Sequence, residues 1–329
     1  MEIHTVLLTT DYESEHWQRL EAALSPAKIV QVDRRDSDAL ESALDQADVA
    51  IVRGDLDSRY LNREQLRWVH CDHAGIEKSA RPEVFESGLL VTGSAGRSAP
   101  ALAEHAILFM LTLCYQFPRF LDAQRKHQWG FEGQEELRGL IGKTVGILGL
   151  GHTGAALADR CKAFGMNVLA WRRSAQSHPS VDRLSAAENG EGIDELLKES
   201  DIVVLALPLS DRTYQLIGER ELSLMKDSAF LVNMARGKVI DEAALLKALH
   251  DGEIAGAGLD TFGQEPLPES SPLWDTPNVL ITPHVTPQVP DRTGAALDIL
   301  VENIRRYRAD ETMVNLLRPE DVYTKGSAT

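Results

Sequence analysis

Residues 145–154 read VGILGLGHTG, and this stretch decides the fold of the chain. An apolar run typical of a buried strand leads directly into three closely spaced glycines, and a helical pattern follows. In such a strand–turn–helix the first glycine permits a tight turn, the second lets the backbone approach a pyrophosphate, and the third lets helix and strand pack closely. The stretch therefore predicts a dinucleotide site with the phosphates at a helix N-terminus. The residues of this predicted phosphate site are Gly149, Gly151, His152, Thr153 and Gly154.

The end of the next strand indicates which dinucleotide binds. A site for NAD usually has an acidic residue about 20 residues further on, which accepts a hydrogen bond from the ribose 2′-hydroxyl. Here Arg172 lies 18 residues after Gly154, and Arg173 and Ser174 follow it. A guanidinium cannot accept a hydrogen bond, but it pairs well with a phosphate. We therefore expect NADP(H) to be preferred, with NAD(H) possible; the alternative is that both arginines are solvated loop charges.

Composition excludes several classes of function. The chain has 329 residues, 43% of them hydrophobic, and carries 34 basic against 50 acidic residues, a net charge of −16. This balance argues against nucleic-acid and anionic-membrane partners. Cys71, Cys114 and Cys161 are too few and too scattered for a disulfide framework, and no metal site is apparent. The apolar stretch 101–113 is too short to span a bilayer. With no basic leader pattern in residues 1–10, we expect a soluble, cytoplasmic protein.

Two series of short apolar runs alternate with helical patterns, which predicts two parallel α/β sheets. The predicted strands of the first series are Thr5–Leu8, Ile29–Val32, Val49–Val52, Trp68–His70 and Leu89–Thr92. Those of the second series are Val145–Leu148, Val168–Ala170, Ile202–Leu207, Phe230–Asn233, Gly258–Asp260 and Val279–Thr282. We expect two Rossmann-like or flavodoxin-like parallel-sheet domains with a cleft between them. The domains are predicted at residues 1–99, completed by 291–329, and at residues 100–290, with a frayed tail from Tyr323.

Three polar residues follow predicted strands of the second domain. They are Arg236, Glu265 and His284. Ligands of open α/β sheets bind at the carboxyl ends of the strands, so these residues can converge on one site. Each alone has a simpler explanation, as a surface charge, a loop acid or a turn histidine. All three at corresponding strand ends are much less expected by chance, and a cation, a carboxylate and a histidine together suit acid–base chemistry.

The sequence resembles the D-isomer-specific 2-hydroxyacid dehydrogenases, a family that includes glyoxylate/hydroxypyruvate reductases, D-lactate dehydrogenases and phosphoglycerate dehydrogenases. The resemblance covers about residues 49 to 317. Its anchors are the segments 102–105 (LAEH), 146–151 (GILGLG), 233–237 (NMARG), 260–266 (DTFGQEP) and 282–284 (TPH). It implies that Arg236 binds the carboxylate and carbonyl of a 2-oxo acid. It also implies that His284 is the general acid in reduction and the base in oxidation, and that Glu265 pairs with His284 and favours its protonated form.

The resemblance extends to contacts with the cofactor. Asp260, with a main-chain group near Ala235, is implied to fix the nicotinamide carboxamide. The segment implied to pass the adenosine half contains Leu207, Pro208 and Thr213. After the histidine the chain departs from the family's usual Gly-Ser/Ala and reads VTPQ at residues 285–288. Thr286 could still reach the carboxamide.

The first domain is implied to bind substrate. Backbone N–H groups around Ala74 and Gly75 are expected to hold the substrate carboxylate. Arg53 ends a strand and is a further candidate contact for an anionic substrate group. His70 and His73 lie near the same loop, but histidines at strand ends are more often structural.

The function implied is the reduction of small 2-oxo acids of the glyoxylate and hydroxypyruvate type to D-2-hydroxy acids with NADPH. A homodimer is expected to form through the dinucleotide domain, where the apolar stretch 101–113 suits an interface. The alternative, from a different class, is a dinucleotide-sensing binding module or corepressor-like protein with little catalysis. Against it, the chain has neither a long extra tail nor a basic surface.

Overall fold

The computed structural model of the chain describes residues 1–285 and 289–326. These residues form two compact units. The first unit comprises Met1–Ser98 and a C-terminal segment that begins at Val289. The second unit begins at Ala99 and continues to Val285, the last described residue before the gap. Each unit is built on its own parallel sheet, which confirms the predicted fold class.

The sheet of the first unit has five parallel strands. They are β1 (Thr5–Leu8), β2 (Lys28–Gln31), β3 (Val49–Val52), β4 (Trp68–Cys71) and β5 (Leu90–Gly93). Three helices connect them: α1 (Ser14–Leu24), α2 (Ser37–Leu44) and α3 (Pro82–Glu86). The strand order β2-β1-β3-β4-β5 is that of flavodoxin-like sheets.

Both faces of this first sheet are covered. In β1, Leu7 packs into the apolar cluster that contains α2, whereas Val6 and Leu8 pack into the cluster on the other face, with α1. Successive side chains of a strand point to opposite faces, so a strand buried on both sides is apolar at every position. This is why the central strands read as continuous apolar runs in the sequence.

The second unit contains most of the regular structure. In chain order its elements are α4 (Ala99–Cys114), α5 (Phe117–Arg125), β6 (Thr144–Leu148), α6 (His152–Ala163), β7 (Asn167–Arg172), β8 (Arg183–Ala186), α7 (Asp194–Glu199), β9 (Ile202–Leu205), α8 (Glu219–Leu224), β10 (Phe230–Asn233), α9 (Glu242–Asp251), β11 (Gly256–Leu259) and β12 (Val279–Ile281). In the part of the chain that the structure describes, no helix is both long and apolar enough to cross a membrane.

The seven strands of the second unit are parallel, in the order β12-β11-β10-β9-β6-β7-β8. The strand β6 lies between β7 and β9, where the direction of winding reverses. Such a switch point opens a crevice at the carboxyl ends of the strands, and ligands of doubly wound sheets bind there. The glycine-rich stretch follows β6 directly and so lies at this position.

The chain then returns to the first unit. Helix α10 (Arg292–Arg308) packs on α1, and the ring of Tyr307 stacks on Trp68 with 5.2 Å between centroids. Further on, the N–H of Leu317 donates to Val91 O at 2.8 Å. The predicted frayed tail is wrong at its first residue, because Tyr323 is buried and its N–H donates to Ala80 O at 2.8 Å.

Candidate active site

The glycine-rich turn after β6 needs residues without side chains. Gly149 has φ +100°, and a Cβ there would lie 2.6 Å from the carbonyl oxygen of Ala206, the residue directly after the neighbouring strand β9. A Cβ on Gly154 would lie 2.0 Å from Gly149 O. At Gly151, in contrast, a Cβ would meet no protein atom within 4 Å. Gly149 and Gly154 therefore permit tight packing, whereas Gly151 borders open space in which a pyrophosphate can approach the backbone.

Helix α6 begins at this turn, with Gly151 as its N-cap residue. No side chain caps the helix, and the first intrahelical hydrogen bond of the turn runs from Ala155 N to Gly151 O at 2.9 Å. The preceding N–H groups of the first turn, which include that of Thr153, have no intrahelical acceptors. These donors and the positive end of the helix dipole suit a pyrophosphate.

The end of β7 carries two cations. Arg172 is the last residue of the strand and donates from Nη1 to Gln176 O at 3.1 Å, while Arg173 is exposed. The loop is tied to the segment after β8, because Ala175 N donates to the carboxylate of Glu188. This acidic neighbour follows β8, a strand that the sequence analysis did not predict, so its position could not be predicted.

The segment after β9 forms a closed turn. Leu207 is buried and Pro208 is exposed. The hydroxyl of Thr213 donates to Pro208 O at 2.7 Å and accepts from Ser210 N at 2.8 Å. Thr213 thus holds the shape of this turn at the carboxyl edge of the sheet.

A histidine and a carboxylate meet beyond β11 and β12. The Nδ1 atom of His284 lies 2.8 Å from Glu265 Oε2, and the other carboxylate oxygen accepts from Phe262 N at 2.9 Å. A carboxylate can only accept, so Nδ1 carries a proton and Nε2 is the ring nitrogen left for another partner. Both side chains are a little over one-third exposed, which leaves this His284–Glu265 dyad accessible.

Arg236 lies on a loop held directly against the dyad's loop. The side chain of Asn233 fixes the backbone on both sides, accepting from Ala235 N at 2.9 Å and donating to Arg236 O at 3.1 Å. A Cβ on Gly237 would lie 1.8 Å from the carbonyl carbon of Phe262. Only glycine permits this approach of the two loops. Sequence reasoning missed the role of Asn233, although its position at the end of β10 is a signal for a loop-fixing amide.

Asp260 is buried and anchors the segment that carries His284. Its Oδ1 accepts from Thr282 Oγ1 at 2.6 Å and from Val285 N at 3.2 Å. Because the single hydroxyl proton of Thr282 is used on Asp260, Oγ1 accepts from His105 Nε2 at 3.2 Å. The predicted contact of Thr286 lies outside the described residues.

His105 reaches this network from helix α4. Burial lowers the pKa of His105, against the attraction of Asp260, and so favours the neutral ring. The imidazole stacks on Phe109 with 4.6 Å between centroids. Gly258 makes room for that ring, because a Cβ there would lie 2.7 Å from Phe109 Cγ. Neither His105 nor Thr282 was predicted as a site residue.

The candidate residues of the first unit lie at the carboxyl edge of its sheet. Arg53 is exposed; its N–H donates to Thr9 Oγ1 at 3.2 Å, and its carbonyl accepts from Arg34 Nη1 at 2.7 Å. The N–H of Ala74 has no hydrogen-bond partner within residues 1–285 and 289–326. The N–H of Gly75 points to the ring of the exposed His73.

His70 is structural. It is fully buried, with Nδ1 2.9 Å from Thr92 Oγ1 and Nε2 3.1 Å from Ser94 Oγ. Thr92 accepts from Trp68 Nε1, and Ser94 donates to Asp72 Oδ1 at 3.2 Å. Ser94 must then accept from Nε2–H, and Thr92 donates to Nδ1, so the ring is neutral. Burial, aided by the charge of Arg97, lowers the pKa of His70 to about 3.

Comparison with known proteins assigns the family. Residues 107–286, more than half of the chain, match the model of the D-isomer specific 2-hydroxyacid dehydrogenase NAD binding domain. A glyoxylate reductase from Thermococcus gammatolerans is 35% identical, over 97% of this chain and 93% of the relative. The chain belongs to the D-isomer-specific 2-hydroxyacid dehydrogenase family. It is therefore an NAD(P)-dependent oxidoreductase that acts on CH–OH donors, as the resemblance implies.

Solved structures agree with this assignment. A D-isomer specific 2-hydroxyacid dehydrogenase from Xanthobacter autotrophicus, in complex with NADPH and MES, is 31% identical. Its TM-score is 0.79, over 97% of this chain and 99% of that one. A second D-isomer specific 2-hydroxyacid dehydrogenase, the NAD complexed form from Lactobacillus delbrueckii, is 26% identical. Its TM-score is 0.72, over 96% of this chain and 100% of that one. Structures of this family thus contain either nicotinamide dinucleotide.

Among the residues that the structure describes, no three His, Cys, Asp or Glu side chains are grouped so that they could hold a metal ion. The polar groups at the strand ends are those of proton transfer and anion binding.

Proposed function

We propose that the chain reduces small 2-oxo acids, such as glyoxylate and hydroxypyruvate, to D-2-hydroxy acids, with NADPH preferred over NADH. The observation that carries the proposal is the 2.8 Å contact between His284 Nδ1 and Glu265 Oε2. It leaves Nε2 to exchange a proton with a substrate oxygen. The glyoxylate reductase of T. gammatolerans, 35% identical over nearly the whole chain, supports the substrate class.

His284 is the acid–base residue in this proposal. The reduced nicotinamide, when bound, supplies the hydride for C2 of the 2-oxo acid. His284 Nε2 gives its proton to the carbonyl oxygen as negative charge develops there, and takes it back in the reverse direction. Positioned proton transfer of this kind contributes ~10²–10⁴-fold. The carboxylate of Glu265 orients the ring and stabilises the imidazolium.

Arg236 supplies the positive charge. Its guanidinium binds the carboxylate and carbonyl of the 2-oxo acid, and stabilises the developing oxyanion more than the ground state. In the first unit, the N–H groups of Ala74 and Gly75 bind the substrate carboxylate, and Arg53 contacts an anionic group of the substrate. The N–H of Ala74, which has no hydrogen-bond partner among the described residues, supports this assignment.

The cofactor groups are assigned to the second unit. The turn at Gly151 and the start of α6 would hold the pyrophosphate, and Asp260 with the main chain near Ala235 would hold the carboxamide. Arg172, Arg173 and Ser174 would pair with a 2′-phosphate. The supporting observation is that β7 ends on a cation, and an arginine cannot accept the hydrogen bond that a ribose 2′-hydroxyl offers.

We also propose a homodimer that forms through α4. Leu108 on this helix is 56% exposed, and Tyr115 and Phe117 beyond its end are 44% and 50% exposed. Exposed apolar groups close together mark interaction surfaces. Light scattering at micromolar concentration should give the mass of two chains; a monomeric mass would contradict this assignment.

The test is the loss of nicotinamide absorbance with glyoxylate and hydroxypyruvate, with NADPH and NADH in parallel. We expect turnover that is faster with NADPH. His284→Ala should abolish turnover and leave NADPH binding intact. The control is His250→Ala, at an exposed histidine on α9, and this variant should retain turnover. Faster turnover with NADH would reverse the cofactor preference alone. Negligible turnover with every 2-oxo acid would overturn the enzymatic proposal and favour a dinucleotide-sensing binding module.

A further inference from the structure

The imidazole of His73 lies against the backbone of Gly75. Its Nδ1 atom is 2.8 Å from Gly75 O and 3.2 Å from Gly75 N. A ring nitrogen carries either a proton or a lone pair, so it can donate to the carbonyl or accept from the amide, but it cannot do both. Whether Nδ1 carries a proton therefore decides whether the N–H of Gly75 is engaged inside the loop.

The backbone around this ring is fixed by other contacts. His73 N donates to Cys71 O at 2.6 Å, and His73 O accepts from Ser94 N at 2.9 Å. The carbonyl of Asp72 accepts from Arg97 Nη1 at 3.0 Å. The N–H groups of Asp72 and His73 thus already have acceptors, Asp72 N donating to Val52 O at 2.8 Å, whereas no backbone carbonyl of the described residues accepts from the N–H groups of Ala74 or Gly75. These are the two groups that the proposed function assigns to a carboxylate.

We propose that His73 is a positioning residue that sets the affinity of this loop for the substrate carboxylate. In the protonated ring, Nδ1–H donates to Gly75 O, and Gly75 N–H is released to join Ala74 N–H as a donor to the carboxylate. The imidazolium also adds a positive charge beside the anion. In the neutral ring protonated at Nε2, Nδ1 holds Gly75 N–H and one donor is lost. This inference rests on the proposed function.

The charged neighbours of the ring are carboxyl groups and one guanidinium. Asp55, from the loop after β3, is the carboxyl group whose charge interacts with His73, and Glu77 interacts with Asp55 in turn. Asp72, the residue before His73, is paired with the guanidinium of Arg97 from the loop after β5. An ionised Asp55 is therefore the negative charge that faces the ring.

The first test needs no substrate. In a ¹⁵N-labelled sample of the full chain, the ring nitrogens of His73 and the amide of Gly75 are followed between about pH 5 and 8, where histidines titrate. We expect the Gly75 amide resonance to move with the titration of the His73 ring and to lose that dependence in His73→Ala. A Gly75 amide that ignores this titration would overturn the inference, whatever the enzyme's substrate.

The second test is kinetic. In the wild type, the KM for glyoxylate should rise about tenfold from acid to alkaline pH, the size of one lost hydrogen bond to a charged group. His73→Ala should show no such rise, while the pH dependence of kcat, which reports His284 in the loaded enzyme, stays as in the wild type. The matched control is His4→Ala, an exposed histidine just before β1, at the opposite edge of the same sheet.

The outcomes separate the two proposals. The same rise of KM in His73→Ala as in the wild type, with turnover intact, would overturn the role of His73 and leave the proposed function standing. Absence of turnover in the wild type would overturn the proposed function, and the Gly75 amide would still report on His73. A circular dichroism spectrum equal to that of the wild type would confirm that His73→Ala is folded.

Discussion

His284 Nδ1 lies 2.8 Å from Glu265 Oε2, although the two residues follow different strands. The loop after β11 brings the carboxylate, and the loop after β12 brings the imidazole with φ +50°, a left-handed conformation that is uncommon outside glycine. Asp260 holds that second loop by accepting from Thr282 and from Val285 N. The two loops that carry the dyad are therefore fixed by partly buried hydrogen bonds of their own, in addition to the contact between the two exposed side chains.

Replacement of the dyad's carboxylate tests its role in proton transfer. In Glu265→Gln the side chain keeps its size but loses its charge, so it no longer stabilises the imidazolium. Its single amide oxygen also cannot accept from both Phe262 N and His284 Nδ1, as the two carboxylate oxygens do. We expect kcat for glyoxylate reduction to fall at least tenfold, within the ~10²–10⁴-fold that a general acid supplies, with NADPH binding unchanged. Glu269→Gln, an exposed acid in the same loop, is the control and should retain wild-type kcat. Equal kcat values for the two variants would rule out the role of Glu265.

Removal of the two cations after β7 tests the cofactor preference. A charge-assisted hydrogen bond contributes about 1.5–3 kcal/mol, which corresponds to about 10–100-fold in affinity. The KM for NADPH should rise by that factor in Arg172→Ala/Arg173→Ala, and the KM for NADH should change little. Arg138→Ala, whose guanidinium contacts only backbone carbonyls in the described structure, serves as control. A parallel rise for both cofactors would indicate a structural role of the arginines.

A methyl group at Gly237 tests the contact between the Arg236 loop and the loop of the dyad. The added Cβ would lie 1.8 Å from the carbonyl carbon of Phe262, so one loop has to move. Overpacking of this kind costs about 1–3 kcal/mol. Thermal unfolding of Gly237→Ala should show a lower Tm, and kcat/KM for glyoxylate should fall because Arg236 is displaced. Gly192→Ala, where a Cβ meets no atom within 4 Å, should leave both unchanged.

The buried His70 predicts a pH dependence of stability. Its pKa is about 3 in the folded chain and about 6.5 when unfolded. Between these values the unfolded state binds more protons, so the stabilisation is complete above about pH 6.5 and is lost as pH falls. The loss is about 1.4 kcal/mol per pH unit for one proton.

Denaturant unfolding at a series of pH values measures this slope. We expect His70→Gln to be less stable than the wild type at pH 8, since the hydrogen bonds to Thr92 and Ser94 are disturbed. The difference should shrink below about pH 6.5, because the variant has no imidazole to protonate. A difference that stays constant with pH would show that the pKa of His70 is the same in the folded and the unfolded chain.

Much of this fold could be predicted because its central strands are buried on both faces. The runs at Val49–Val52 and Phe230–Asn233 have the same bounds in the sequence prediction and in the structure. The edge strand β8 was missed, since Arg183–Ala186 mixes polar and apolar residues and pairs with another strand, β7, along one edge only. Its neighbour Glu188 was missed with it.

Site residues could be predicted where the reaction chemistry restricts the residue type. They could not be predicted where a residue acts by holding another site residue that is distant in the sequence. His284 and Glu265 were found as a histidine and an acid at strand ends, and the structure brings them together. His105 reaches Thr282 from a helix 177 residues earlier in the chain, and no local pattern reports such a contact. No local pattern reports the proposed role of His73 either, because that role depends on whether its Nδ1 bonds to the oxygen or to the nitrogen of Gly75.

The return of α10 to the first unit has a consequence for biosynthesis. Leu297, Ile304 and Tyr307 complete an apolar cluster with Trp68, yet they are translated after the whole second unit. The second unit is continuous in sequence, so it can fold as soon as it leaves the ribosome, whereas the first 98 residues wait with one face of their sheet covered by α1 alone. Domains usually fold in the order in which they are made. In this chain we expect the second unit to fold first. The first unit is then expected to depend on chaperones until α10 emerges from the ribosome.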